Sequence, residues 1–230
     1  MQEFLLFSQI PHSRHDQVLQ ILAGVTASRA TPTKQQTLIY SYPPKPTNTS
    51  KKAATNKQTQ PSAPMHVKLV RDLQHGDKQP WTLRTEDVPQ PGITNTISRT
   101  VSERLLSDTE LETFRQGAAS QIRYINQYIT HPGHRFVQNN LIIRISRILL
   151  VPDSTGFLEP LDAPVPTLSD CKAVDPSGAY LFEVMIRVED GGNTTLVEKA
   201  VGELLAFKKQ MDGVVELKVP ERLSLDTRVK

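Results

Sequence analysis

The strand-like segments of this 230-residue chain carry few carboxylates in the pattern that metal-dependent hydrolysis needs. A metal-assisted phosphohydrolase clusters carboxylates by placing Glu at alternate positions of one strand. Here Glu3 stands alone in the first strand-like segment, and Glu183 stands alone in residues 179–188. Most of the remaining acids lie at turns and helix starts, as Glu110 does, where helix capping explains them. We therefore predict neither catalytic residues nor a metal site, and no cofactor.

Two histidines and one cysteine are the other candidates for chemistry. His131 and His134 have the spacing of metal ligands, but no cysteine or carboxylate lies near them in the sequence, so we interpret them as hairpin-turn residues. Cys171 has no local partner that would mark it as a nucleophile. Because it is the only cysteine, no internal disulfide can form, which suits a reducing cytosol or nucleus.

Arginines recur on the predicted strands, and they leave two interpretations open. Lined up inside a barrel they would bind phosphates or an acidic peptide. Spread over both faces of the strands they would pair locally with acids or stay in solvent, and we favour this second interpretation. The arginines in question are Arg84, Arg99, Arg123, Arg135, Arg144, Arg147 and Arg187.

The positive charge of the chain is concentrated in one low-complexity segment. The chain has 27 Lys and Arg against 24 Asp and Glu. Residues 43–64 hold four of the lysines and no acid, and removing them leaves 23 basic against 24 acidic side chains. This segment has no apolar residue larger than alanine, so we expect a disordered insertion. The nearly neutral remainder argues against a dedicated nucleic-acid domain.

Residues 133–152, GHRFVQNNLIIRISRILLVP, predict a long β-strand. From Leu141 onward the residues alternate with the period of two that a half-buried, pleated strand requires. Residues 122–130 indicate a partner strand, and the residues 131–134, HPGH, are the predicted turn between the two. The pattern therefore predicts a long antiparallel hairpin.

The same periodicities predict further strands and three amphipathic helices. The strands span residues 3–10, 36–42, 65–73, 81–87, 93–105, 179–188 and 214–219. The helix signals are Ser13 with Asp16, ending at Gly24; Ser107 with Glu110; and Thr195 with Glu198, ending at Gly213. We predict a mainly β (α+β) protein: one domain from residue 1 to 230, built as a multi-stranded antiparallel β-barrel with a few flanking helices. No apolar run is long enough to span a membrane, and the first residues do not form a signal peptide.

An apolar surface on two predicted strands is the best candidate for a binding site. Barrel exteriors that carry Phe, Leu or Ile invite a partner, because large apolar patches on proteins usually mark interfaces. The alternative is that the chain's own helices cover these residues. The candidate partner-interface residues are Ile142, Arg144, Ile148, Leu150, Tyr180, Phe182 and Val184.

Four segments of the sequence carry a family resemblance. They are MQEFLLFSQIPHSRHDQVLQILAGV at the start, ISRTVSERLL in the middle, the GHRFVQNNLIIRISRILLVP stretch, and a final segment that runs from AYLFEVMIRV to LKVP. In their order and spacing they resemble the fungal form of the subunit 18 family of Mediator, the coactivator complex of RNA polymerase II transcription.

This resemblance implies a fold and a set of partners. It implies a β-barrel similar to the tunnel-type triphosphatases, located in the Mediator head module in the nucleus. Subunit 20 would pair with the barrel, and a C-terminal helix of subunit 8 would bind to it. The family offers no catalytic residue to carry over. A phosphate- or RNA-binding barrel and a tunnel-type phosphohydrolase are the alternatives, and neither a membrane nor direct nucleic-acid contact is expected.

Overall fold

The polypeptide forms nine β-strands and three α-helices within residues 1–42, 65–76, 79–117, 122–152 and 160–225, which are the residues that the computed structural model describes. The predicted insertion at 43–64 lies outside these ranges. The strands are β1 Gln2–Ile10, β2 Thr31–Tyr42, β3 Met65–Asp72, β4 Thr82–Glu86, β5 Ile97–Leu105, β6 Arg123–Gln138, β7 Leu141–Leu150, β8 Lys172–Ala173 and β9 Tyr180–Val188. The helices are α1 His15–Thr26, α2 Asp108–Arg115 and α3 Thr194–Gln210.

The strands close into a barrel. Their order is β6-β2-β3-β4-β5-β1-β9-β7-β8, and β6 also pairs with β7. Eight strands therefore complete a ring, every pairing between them is antiparallel, and the two-residue β8 is attached to the end of β7. The predicted antiparallel β-barrel with flanking helices is confirmed.

The two faces of the barrel wall differ in what they bury. Phe4 and Leu6 of β1 lie in one apolar cluster with Val18 of α1 and Leu204 of α3. The interior of an eight-stranded barrel is too narrow for a helix, so α1 and α3 must lie outside it. The residues at alternate positions, beginning with Glu3, consequently face the enclosed space, which we call the lumen.

The long hairpin is present, but its turn was predicted at the wrong place. β6 continues through His131 and Gly133, where the pairing register shifts between Thr130 and Gly133. Such a β-bulge tolerates Pro, which cannot donate to the ladder. The chain reverses instead between Gln138 and Leu141, where Asn139 has a φ of 53°. Asn accepts this left-handed conformation more readily than most residues, as two-residue hairpin loops require.

The helix ends confirm one predicted cap and correct two others. Ser107 and Glu110 form the capping box of α2 as predicted. The predicted box of Ser13 and Asp16 is wrong, because a 3₁₀ turn precedes α1 and no side chain caps this helix, which also continues past Gly24. α3 is capped by Asn193, which accepts from the Leu196 backbone N–H, and not by Thr195. No helix in the described part of the chain is both long and apolar enough to cross a membrane.

The predicted closing strand at 214–219 is reduced to a single bridge. Phe7 and Lys218 exchange two backbone hydrogen bonds of 2.9 and 2.8 Å, and no longer ladder joins this segment to β1. Val215 and Leu217 belong to the apolar cluster beneath α3, while Val219 packs against both this cluster and the cluster of Leu5, Ile97 and Met185. The segment therefore lies against β1 beyond Leu5, where β1 no longer pairs with β5.

Candidate functional site

The barrel lumen is lined by a network of ion pairs that centres on Glu3. The Glu3 side chain is fully buried, and Arg84 Nη2 donates to its Oε2 at 2.8 Å. Arg99 donates to the same oxygen through Nε and Nη2, at 3.2 and 3.1 Å. Arg187 Nε donates to Glu3 Oε1 at 3.0 Å. Three guanidinium groups from three strands therefore converge on one carboxylate.

Two further glutamates complete this network at the level of β4 and β5. Glu86 accepts from Arg84 Nε at 2.6 Å, from Arg99 Nη1 at 2.9 Å and from Lys68 Nζ at 2.8 Å. Glu103 accepts from Arg84 and also from both terminal nitrogens of Arg187, at 3.0 and 2.9 Å. We call these seven residues the lumen network: Glu3, Lys68, Arg84, Glu86, Arg99, Glu103 and Arg187.

The pairing holds Glu3 and Glu86 in their charged form. Burial raises the pKa of Glu3, but the charges of Arg84, Arg99 and Arg187 outweigh it, so the pKa lies below its ordinary value. Burial also raises the pKa of Glu86, yet Lys68, Arg99 and Arg84 lower it to about 2. A carboxylate bound by two or three cations is a poor ligand for a divalent metal, because the metal would have to displace them.

Arg144 and Glu183 lie outside the lumen network. Arg144 is paired in register with Glu183 of β9 on one side and with Arg135 of β6 on the other. Residues paired in register point to the same face, which here is the lumen, since their neighbours Phe136 and Ile143 pack under the helices. Within the described ranges, no ion pair joins Arg144 to Glu183.

Three of the predicted interface residues are covered by the protein's own helices. Tyr180, Phe182 and Val184 belong to the apolar cluster beneath α1 and α3, and their exposed fractions are 3%, 0% and 0%. The exposure on which their candidacy depended is therefore absent in the folded chain. β9 alternates between an apolar face and a face that carries Glu183 and Arg187, but this alternation does not indicate whether the apolar face is covered by the chain's own helices or by a partner.

The other four predicted interface residues lie on the lumen side of β7. Ile142 packs with the apolar lumen cluster of Leu5, Ile97 and Met185. Arg144 lies one alternate position further along the strand, followed by half-buried Ile148 and by Leu150, which is 42% exposed. The seven residues therefore do not form one surface, and Leu150 is the exposed member among them.

The histidines and the cysteine occupy ordinary structural positions. The His134 ring lies 5.1 Å from that of His15, the first residue of α1, and burial lowers the pKa of His134. His131 lies in the bulge of β6, and burial lowers its pKa as well. Cys171 donates to the Thr167 carbonyl at 3.4 Å, and burial raises the pKa of its thiol. Within the described ranges, no group of three or more His, Cys, Asp or Glu residues is arranged to hold a metal ion.

The sequence did not identify the lumen network, although one local signal was present. Arg84 and Glu86 stand two residues apart on β4, and Arg99 and Glu103 stand four residues apart on β5. This spacing places Arg84 and Glu86 on one face, but it does not indicate that this face is enclosed. The predicted alternatives for the arginines were alignment inside a barrel and local pairing, and Arg84, Arg99 and Arg187 combine the two.

Comparison with known proteins establishes the family. A family model described as Med18 protein matches residues 2–228. The chain belongs to this family. Curated Med18-family relatives match along the full length of both chains: the Mediator of RNA polymerase II transcription subunit 18 of Aspergillus oryzae is 24% identical over 277 residues, and that of Coccidioides immitis is 26% identical over 275.

Solved structures show that the Med18-family barrel recurs in other proteins. A chain in the structure of the Schizosaccharomyces pombe Mediator head module superposes with a TM-score of 0.69 at 18% identity, covering 95% of this chain and 98% of that one. The PH1819 protein from Pyrococcus horikoshii superposes with a TM-score of 0.53 at 11% identity, covering 97% of each chain. At these identities the likeness concerns the fold.

Proposed function

We propose that this Med18-family barrel is a non-enzymatic subunit of the Mediator head module, acting in the nucleus as an interaction protein in RNA polymerase II transcription. The observation that carries the proposal is the family match over residues 2–228. It is supported by relatives of the same full length that are named as Mediator subunits, and by the structural likeness to a chain of a Mediator head module.

The lumen network supports the non-enzymatic part of the proposal. A metal-dependent phosphohydrolase needs carboxylates that are free to bind a cation. In the lumen network each carboxylate instead accepts hydrogen bonds from at least two cationic side chains, and both oxygens of Glu3 are used in this way. The network therefore links β1, β3, β4, β5 and β9 through ion pairs inside the barrel and stabilises its wall.

The partners that we propose are Mediator subunit 20, barrel against barrel, and the C-terminal helix of subunit 8, bound in an apolar groove. An exposed apolar patch on the barrel is a suitable docking surface. Leu150 and Val174 are 42% and 50% exposed, and the Val174 backbone N–H donates to the Ile148 carbonyl at 2.9 Å. We call Ile148, Leu150 and Val174 the β7–β8 patch and assign it to the helix of subunit 8. These residues form a short row of apolar side chains at the end of β7, and one face of a helix is long enough to cover such a row.

Reconstitution with purified partners tests this assignment. The chain is co-expressed with subunits 20 and 8, and the complex is isolated through a tag on this chain. The double variant Leu150→Glu with Val174→Glu is expected to lose subunit 8 and to retain subunit 20, since two charges would have to be buried against the apolar helix face. Leu105→Glu is the matched control, because Leu105 is 65% exposed on β5, three strands away around the barrel.

The possible results separate the function from the surface. Recovery of both partners by the wild type, with loss of subunit 8 in the double variant alone, supports both proposals. Equal recovery by all three chains would refute the β7–β8 patch as the docking surface and leave the Mediator assignment intact. If the wild type recovered neither partner, the proposed function would be overturned.

A further inference from the structure

The end of β1 has a backbone edge with no partner within the described ranges. In an antiparallel ladder, the N–H and C=O of every second residue point to the same side of the strand. Phe7 exchanges its backbone hydrogen bonds with Lys218, on the side of β1 opposite to β9. The N–H and C=O of Gln9 therefore point to this side as well. Among the described residues, no group forms a hydrogen bond with either of them.

Residues 214–220 form the opposite side of this opening. If their bridge to β1 continued as an antiparallel ladder, Gln9 and Glu216 would be the next hydrogen-bonded pair. That pair does not form. The segment turns towards α3 instead, where the Val215 N–H donates to the Met211 carbonyl at 3.0 Å. β1 and residues 214–220 consequently diverge beyond their bridge.

A groove of about 530 Å³ lies between the two diverging segments, and we call it the β1 edge groove. Its apolar lining includes Ile10, Val18 and Val215, which are buried, and Phe7 and Val219, which are half-buried. The volume falls within the range of ligand-binding clefts. A peptide segment in the groove would therefore contact apolar side chains and, at the same time, reach the unpaired edge of β1.

The rim of the β1 edge groove carries one unpaired positive charge. Arg14 lines the groove and is exposed, and among the described residues no carboxylate pairs with it. Its Nε donates to Gln17 Oε1 over a long 3.4 Å. Lys218 and Glu216 also line the groove, but they neutralise each other through a contact of 3.0 Å. The unpaired guanidinium therefore favours an occupant with a carboxylate.

We propose that the β1 edge groove binds an extended, acidic peptide segment of a partner protein, which adds to β1 as a further strand at Gln9. A helix uses its backbone groups internally, whereas an extended segment keeps them free to pair with an unpaired strand edge. Every second side chain of such a segment would face the apolar lining, and a carboxylate would pair with Arg14. This inference does not depend on the proposed Mediator partners.

NMR titration of the isotope-labelled, full 230-residue chain tests the proposal. The probe is a terminally blocked peptide of eight residues in which valine alternates with threonine and glutamate. We expect saturable shifts of the Gln9 amide signal and of its neighbours in the groove. A peptide with lysine in place of glutamate should bind more weakly, and Arg14→Ala should abolish this preference, since Arg14 supplies the unpaired charge.

Two variants of Gln9 separate the backbone from the side chain. Gln9→Pro removes the N–H that the added strand requires, and the ladder between β1 and β9 does not use this group. The variant should lower the peptide affinity roughly 2- to 10-fold, the loss expected for one hydrogen bond. Gln9→Ala is the matched control: it loses the side-chain bond to Asp175 but keeps the N–H, so the affinity should not change.

A modified peptide covers the case in which Gln9→Pro does not fold. N-methyl groups on alternate amides of the probe remove the donors that strand pairing uses, so this peptide should not bind to the wild type. Absence of saturable binding of the unmodified probe would overturn the proposal. So would equal affinities of the N-methylated and unmodified peptides, equal affinities of Gln9→Pro and Gln9→Ala, or a preference for glutamate over lysine that persists in Arg14→Ala.

Discussion

Glu3 and Arg187 meet inside the barrel although 184 positions separate them in the chain. Arg187 Nε donates to Glu3 Oε1 at 3.0 Å, and the two residues are paired in register across β1 and β9. This contact joins the first strand of the barrel to the last. The lumen network is consequently a long-range feature that forms only when the barrel closes, and it should contribute to the stability of the whole fold.

Replacing Glu3 should destabilise the protein strongly. Glu3→Gln removes the carboxylate that three arginines share and leaves four cations facing two glutamates in the lumen. Breaking a buried ion pair on one side typically costs about 3–5 kcal/mol. Urea unfolding should show this loss in the free energy of unfolding. Glu216→Gln is the control: its surface pair with Lys218 should contribute no more than about 1 kcal/mol.

The lumen network should make stability fall in acid over a defined pH range. The pKa of Glu86 is about 2 in the folded protein against an ordinary value of 4.5, because the charges of Lys68, Arg99 and Arg84 outweigh the effect of burial. A carboxyl group whose pKa is lowered on folding stabilises the fold fully above its unfolded pKa and loses that contribution as the pH falls towards its folded pKa. The contribution of Glu86, on the order of 3 kcal/mol, should therefore disappear between about pH 4.5 and pH 2.

Glu86→Gln should reduce the slope of stability against pH in this range. The measurement is the free energy of unfolding in urea at a series of pH values, for the wild type and the variant. Part of the slope will remain, because the pKa of Glu3 is lowered as well. An unchanged slope in Glu86→Gln would show that Glu86 is not paired as the structure indicates.

Phe182 should behave as a core residue. It is fully buried beneath α1 and α3, so Phe182→Ala removes apolar contacts and leaves a cavity. The expected loss in the free energy of unfolding is about 3–5 kcal/mol. Leu196→Ala is the control: this residue on α3 is 47% exposed, and the change should cost less than about 1 kcal/mol. A small effect of Phe182→Ala would mean that α1 and α3 do not cover this face of β9. Phe182 would then be exposed, as a partner-interface residue must be.

Two glycines should respond to alanine with opposite signs. At Gly133, in the bulge of β6, an added Cβ would lie 2.6 Å from the Thr33 carbonyl oxygen, so Gly133→Ala must displace backbone and should destabilise by about 1–3 kcal/mol. At Gly24, inside α1, an added Cβ meets nothing within 4 Å. Gly24→Ala should therefore stabilise by about 0.5–1 kcal/mol through helix propensity. Thermal unfolding of both variants measures the two shifts, and a gain at Gly133 would contradict the bulge.

Local patterns in the sequence predicted most of the strands and the α2 cap, because these depend on neighbouring residues. The period of two located β1 and β7, and Ser107 with Glu110 marked the start of α2. The turn of the long hairpin was misplaced because Pro132-Gly133 is also suited to a bulge. The stronger hairpin signal was Asn139-Asn140, which stands between two alternating runs.

The lumen could not be predicted in the same way, because it depends on contacts between distant strands. Alternation divides a strand into two faces, but which face is enclosed depends on closure between β6 and β7 and on where the helices pack. Tyr180, Phe182 and Val184 were predicted on an open face for this reason, and α1 and α3 cover them. The partners of Arg187 could not be inferred locally either, since Glu3 and Glu103 lie 184 and 84 positions away.

The most direct test of the central claim is affinity purification of this chain from its own nuclear extract, with mass spectrometry of the proteins that co-purify. The Mediator assignment predicts stoichiometric recovery of subunits 20 and 8 together with the rest of the head module, and loss of these partners from the destabilised Glu3→Gln variant. Recovery of the wild-type chain as a monodisperse protein without any Mediator subunit would contradict the assignment.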